Sequence, residues 1–173
     1  MGKTSIIRRI CQDSFTERHL ETVGVDYAVY EVPYMRSKVE LQLFDLSGAN
    51  EYRDARVEFY DDVQGVLLMY DSSDQRSLQR CEYWIAEMER HGLRPDRAAV
   101  MLVGTRAEIG STLTDAKSRA LAAKHGFGHI KVSAKTGDGV GELVATIVAR
   151  MVASVDEIPD QFIAIAEAEL EKY

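Results

Sequence analysis

Residues 65–104 read GVLLMYDSSDQRSLQRCEYWIAEMERHGLRPDRAAVMLVG: an unbroken apolar run, a stretch with apolar residues at helical spacing, and a second apolar run. A strand that is apolar at every position has to be covered on both faces, as in a parallel sheet flanked by helices. Gly92 closes the helical stretch, so the segment reads as one strand–helix–strand unit. The unit then repeats as helix DAKSRALAAKHG closed by Gly126, strand HIKVSA and helix GELVATIVARMVASV. Upstream, VDYAVYEVP and KVELQLFD flank the turn MRSK and predict one antiparallel hairpin. The fold class is therefore α/β, a doubly wound and mostly parallel sheet with helices on both faces.

Composition bounds the rest. With 173 residues, 46% of them hydrophobic, the chain can bury one core but is too short for two ordinary domains. A net charge of −7 makes nucleic acid and anionic membrane surfaces poor partners. Much of that charge lies in the tail, where Asp156, Glu157, Asp160, Glu167, Glu169 and Glu171 stand against Lys172 alone. Ile163, Ala166, Leu170 and Tyr173 share a helical stripe there, so residues 154–173 are expected to form an acidic helix or linker beside a domain spanning 1–153. Cys11 and Cys81 lie in helical patterns and read as buried thiols, and neither is placed to carry a lipid anchor. With no signal peptide or long apolar run, the expectation is a cytoplasmic protein that partners, rather than lipid, would bring to a membrane.

The chain opens on MGKTS. Gly2, Lys3 and Thr4 match the second half of the phosphate loop GxxxxGK followed by Ser or Thr. There, backbone N–H groups at a helix N-terminus wrap a phosphate, Lys reaches the β and γ phosphates, and the hydroxyl holds Mg²⁺. GKT alone is a weak signal, since any short helix start could match it. Its weight comes from FDLSG, VGTRAE and VSAK, each placed where a strand runs out. Ligands of doubly wound sheets bind at those strand ends.

In this order and at these spacings, GKTS, ETVGVDY, LFDLSG, FYDDVQGVLLMYD and SAKTGDGV resemble the Ras-like small GTPases, specifically the Rab branch, over residues 1 to 153. IIRRICQDSF, TVGVDY and VEFYDDVQGVLLMYD are most similar to the Rab-like GTPases that carry a C-terminal J domain, although this chain has no HPD tripeptide. The resemblance implies a guanine-nucleotide-binding switch that uses GTP/GDP and Mg²⁺. It also implies that the first strand, central in the family's sheet, and the first half of the phosphate loop are missing. Met1 is then expected to be an internal residue, and the chain as it stands to bind nucleotide weakly.

By the same resemblance, Gly2, Lys3, Thr4 and Ser5 would meet the phosphates, while Thr4, Thr22 and Asp45 would hold Mg²⁺, Asp45 through water. Thr22 would close on the metal and the γ-phosphate, and the Gly48 N–H would meet that same phosphate, so its loss would release both loops. Phe15 would lie against the guanine edge. Ser133, Ala134 and Lys135 keep a pattern whose Ala N–H meets the guanine carbonyl. Plainer readings stand beside these: a solvated helix start for Lys3 and Thr4, an ordinary cap for Asp45, a core ring for Phe15.

The chain departs from the family twice. Where the family reads guanine with NKxD, this chain has Thr105, Arg106, Ala107 and Glu108, whose carboxylate sits one methylene further out. A displaced charge-assisted contact of that kind loses about 1.5–3 kcal/mol. Where the family places a Gln to orient the attacking water, this chain has Ala49, with Asn50 beside it as a substitute, so hydrolysis is expected to be slow. The alternative is a nucleotide-independent pseudo-GTPase scaffold. In either case Tyr27, Phe44 and Tyr60 fall where Rab proteins place three aromatic residues that face effectors, and exchange and activating factors are further expected partners. Trp84, with Ile85 and Met88, reads as core.

Overall fold

The computed structural model describes residues 2–17, 21–61, 63–94, 96–110 and 112–154, so the expected acidic tail lies outside the described residues. The chain runs α1 (Lys3–Gln12), β1 (Val25–Tyr34), β2 (Ser37–Leu46), a 3₁₀ turn (Asn50–Tyr52), α2 (Arg53–Val57) and β3 (Gly65–Asp71). It continues through α3 (Gln75–Arg90), β4 (Ala99–Thr105), α4 (Thr112–His125), β5 (Gly128–Lys131) and α5 (Val140–Ala153). Gly2 starts α1 at φ 89°, a left-handed conformation that glycine takes without strain. Asp74 caps α3, its side chain accepting from the Arg76 N–H.

The predicted strand–helix–strand unit is present. β3, β4 and β5 are parallel neighbours in that order. Side chains alternate across the strands. Met69, Met101 and Val103 therefore pack with Ile6 of α1 and Leu143 and Val148 of α5. Leu68, Tyr70 and Leu102 pack on the other face with Leu78 and Ile85 of α3. β5 stops at Lys131, short of the predicted HIKVSA, because the Ser133 N–H turns away to the Asp138 carbonyl at 2.9 Å.

The single predicted sheet is two. β1 and β2 form an antiparallel ribbon, and among the described residues no strand joins β2 to β3. A cavity of about 230 Å³ lies between them, walled by Ile7 and Ile10 of α1, Leu43 of β2, Leu67 and Met69 of β3, and Trp84 of α3. This is the position in which the resemblance expects a central strand. Each backbone group facing such a gap costs about 1–3 kcal/mol unless water or further chain satisfies it.

Cys81 is fully buried and Cys11 only partly. Burial pushes the Cys81 thiol up to about 12. The native protein is expected to react with an alkylating reagent at Cys11 and to label Cys81 only after denaturant is added, as read by mass spectrometry of the two peptides; equal labelling in native buffer would contradict the packing of α3. No helix of the described residues is long and apolar enough to cross a membrane.

Candidate functional site

Three oxygens meet at the start of α1. β2 delivers Asp45, which is 4% exposed, to its own carboxyl end. Asp45 Oδ2 accepts from the Thr4 hydroxyl and, at 3.1 Å, from the Thr22 hydroxyl. The two threonine Oγ1 atoms are 2.9 Å apart. Asp45 Oδ1 is buried and has no hydrogen-bond partner among the described residues. A buried carboxylate oxygen without a donor is costly, and a cation is one way to satisfy it. Two hydroxyls and a carboxylate are hard oxygen ligands of the kind Mg²⁺ prefers, so the residues present fit that ion.

The loop after β2 completes this side. Lys3 Nζ lies 3.8 Å from where a side chain on Gly48 would begin, which brings the expected phosphate lysine over the glycine expected to meet the γ-phosphate. The Ser47 N–H donates to the Gly24 carbonyl at 2.9 Å, so this loop is tied to the segment that follows Thr22. Ala49 is extended (φ −76°, ψ 143°) and Asn50 begins an exposed 3₁₀ turn. Ser5 lies in the first turn of α1, half-buried.

The two loops expected to meet the base lie side by side. The Ala107 N–H donates to the Val132 carbonyl at 3.1 Å, which sets residues 105–108 beside 133–135. Thr105 is 2% exposed and its hydroxyl donates to the Tyr70 carbonyl at 3.1 Å, an inward-facing role. Arg106 takes a left-handed conformation (φ 57°) and its Nη1 reaches Asp71 Oδ2 at 2.9 Å. Glu108 is exposed. Arg9 of α1 braces the other loop, with Nε donating to the Ala134 carbonyl at 2.8 Å and Nη2 to the Lys135 carbonyl at 3.1 Å. Lys135 Nζ is 3.3 Å from Glu17 Oε1, and Phe15, in the connection after α1, is 36% exposed. The Ser133 hydroxyl accepts from the Thr136 N–H at 3.1 Å.

A model of the Ras family matches residues 1–153. The chain belongs to the Ras family. DnaJ homolog subfamily C member 27 of Gallus gallus is 30% identical over 161 residues, covering 90% of this chain and 59% of that protein. The Homo sapiens protein of the same name is 32% identical over 151 residues, covering 84% of this chain and 55% of its own length. Ras-related protein SEC4 of Saccharomyces cerevisiae is 29% identical over 157 residues, 90% of this chain and 72% of that protein. This is thus a Rab-like member of the Ras superfamily, and the chain spans little more than half the length of the first two relatives.

In this Rab-like chain the aromatic face differs from the predicted one in one residue. Tyr27 and Phe44, opposite each other in the β1–β2 register, are 53% and 42% exposed with ring centroids 5.2 Å apart. The third ring against Phe44 is Phe59, at 5.0 Å. Tyr60, predicted as the third member, is 5% exposed and points inward, because its hydroxyl donates to Glu87 Oε1 at 2.8 Å. Phe59 and Tyr60 lie in the turn just past α2, where no helical or strand periodicity tells which of two adjacent aromatics faces the core.

The residue that sequence reasoning missed is Arg56. It is 3% exposed, its Nε and Nη2 lie 3.0 and 3.2 Å from Glu87 Oε1 and Oε2, and its guanidinium sits 4.7 Å from the Trp84 ring centroid. Burial works against the charge of Glu87, but hydrogen bonds from Arg56 and Tyr60 hold its carboxyl below the usual carboxylate range.

Proposed function

We propose that this chain carries a guanine-nucleotide switch that binds GTP and GDP with Mg²⁺ and hydrolyses GTP slowly. The observation behind it is the convergence of the Thr4 and Thr22 hydroxyls on Asp45, whose second oxygen is buried without a partner beside Lys3. Thr4 and Thr22 would hold the ion directly and Asp45 through water; bound there, Mg²⁺ neutralises phosphate charge. Lys3 and the Gly48 N–H would position the terminal phosphate, and Ala49 presents no group able to hold a water. Thr105, Arg106 and Glu108 make a poorer guanine reader than NKxD, while Ser133, Ala134 and Lys135 keep the backbone side of the pocket. Effectors would dock on Tyr27, Phe44 and Phe59, with exchange and activating factors acting on the same loops, in the cytoplasm. TRAE and Ala49 favour the alternative of a nucleotide-independent scaffold.

The readings separate in one assay. The purified protein is denatured and released nucleotide identified by chromatography, and retention of a fluorescent guanine nucleotide is followed with and without Mg²⁺. Weak but Mg²⁺-dependent retention of added guanine nucleotide is expected, with Asp45→Ala weakening it by about tenfold, as loss of an outer-sphere support does. An empty protein with no response to Mg²⁺ would leave the scaffold reading.

A further inference from the structure

The loop that links the metal side to the aromatic face is Ser47–Gly48–Ala49, and its backbone is held from outside the site. Arg56 Nη1 donates to the Ser47 carbonyl at 2.8 Å and to the Ala49 carbonyl at 3.1 Å, one on each side of Gly48. The remaining nitrogens of the same guanidinium are fixed to α3 by Glu87 Oε1 and Oε2, and Nε also donates to the Tyr60 oxygen at 3.1 Å. Glu87 is oriented in turn by Tyr60, by the Tyr83 hydroxyl at 3.4 Å and by Arg53 Nε at 3.8 Å. Through the Ser47 N–H the tie continues to Gly24, just past Thr22. A rigid fork with two carbonyls on one edge and a carboxylate on the other has little freedom to let either go singly.

We propose that Arg56 is a positioning residue which clamps the Ser47–Ala49 backbone to α3, so that the Gly48 N–H keeps its place whether or not a γ-phosphate is present. In a switch whose second loop is ordered by that phosphate, the loop collapses when the phosphate leaves. Here the ordering contacts belong to the protein, and the response to nucleotide is confined to the segment carrying Thr22. Phe44, at the strand end before the loop, and Phe59, three residues after Arg56, are then presented in both nucleotide states. This consequence rests on the switch reading proposed above; the clamp itself is a property of the chain without any ligand.

The test exploits Trp84, the only tryptophan in the chain, which stacks on the Arg56 guanidinium. Hydrogen–deuterium exchange of residues 47–50 and Trp84 emission are measured on nucleotide-free wild type, Arg56→Lys and Glu87→Gln, with exchange in α5 as the control for folding. Wild type is expected to exchange about tenfold more slowly in 47–50 than either variant, the ratio carried by one charge-assisted hydrogen bond, with α5 unchanged and Trp84 emission shifted in Arg56→Lys. Exchange at the unstructured rate in wild type, or equal rates in all three proteins, would overturn the clamp. In a second arm, wild type loaded with GDP or with a non-hydrolysable GTP analogue is expected to show the same exchange in 47–50, and a tenfold difference would overturn its independence of nucleotide. A protein that loads neither nucleotide defeats the switch reading, while the first arm still decides the clamp.

Discussion

Glu87→Ala is expected to lower the unfolding free energy by about 3–5 kcal/mol, the cost of leaving a buried charge without its partner. Arg56 would remain at the heart of α2 and α3 with only two backbone carbonyls and the Tyr60 oxygen to face, and Tyr60 would lose its acceptor. The contrast is Lys124–Glu82 between α4 and α3, 2.9 Å apart but with both side chains more than half exposed. Loss of that pair is expected to change stability by less than about 1 kcal/mol. Denaturant titrations of the two variants make the comparison, and equal small losses would show that Arg56 finds water when Glu87 is gone. The pH dependence has a definite sign. The Glu87 carboxyl lies below its ordinary value of 4.5 in the folded protein, so its contribution is fully present above that value and is lost as pH falls through the folded one. The gap between wild type and Glu87→Ala should therefore be constant from neutral pH down to the ordinary carboxylate range and shrink only below it.

The parallel half of the fold was legible because its strands carry the unbroken apolar runs GVLLMY and AAVMLVG, a pattern that few other environments allow. The convergence of Thr4, Thr22 and Asp45 was suggested by the family resemblance rather than by any one motif, and the structure brings their oxygens together. The clamp was not legible. Arginine is seldom fully buried unless paired, and its partner lies 31 residues away in sequence, beyond any local pattern. One signal was available: Glu87 follows Trp84 by three residues and so shares the helix face of a ring the sequence had already placed inward. The inward turn of Thr105 and the reach of Arg106 to Asp71 depend on a left-handed residue at 106, which no side-chain preference of arginine announces. The separation of β2 from β3 follows from what lies between two strands in space, a relation that strand patterns do not encode.

In a longer version of the protein that supplies the upstream strand and the first half of the phosphate loop, Ala49→Gln is expected to accelerate single-turnover hydrolysis of preloaded GTP by about 10²-fold, the scale on which positioning a reactant changes a rate. Phosphoryl transfer asks the protein mainly for orientation and charge stabilisation. In the proposed switch, Lys3 and a Mg²⁺ ion held by Thr4, Thr22 and Asp45 would supply the charge, so the deficit falls on orientation alone. The backbone on which a glutamine would hang is already fixed: the Ala49 carbonyl accepts from Arg56 and from the Tyr52 N–H at 3.3 Å, and its N–H points to Ser47 Oγ at 3.4 Å. A side chain added there would start from a defined place next to Gly48 rather than from a mobile loop, and wild-type protein, lacking it, should keep bound GTP and favour the on state. Asn50 is the competing source of orientation, since its amide could reach a water without any change at 49. It opens a 3₁₀ turn and is exposed, which leaves its side chain free of the constraints that a water-orienting group needs. Nucleotide affinity and hydrolysis should be measured together on wild type, Ala49→Gln and Asn50→Ala: the expected pattern is unchanged affinity throughout, a faster step for Ala49→Gln and little change for Asn50→Ala, whereas a large loss of rate in Asn50→Ala at constant affinity would place the water on Asn50 instead.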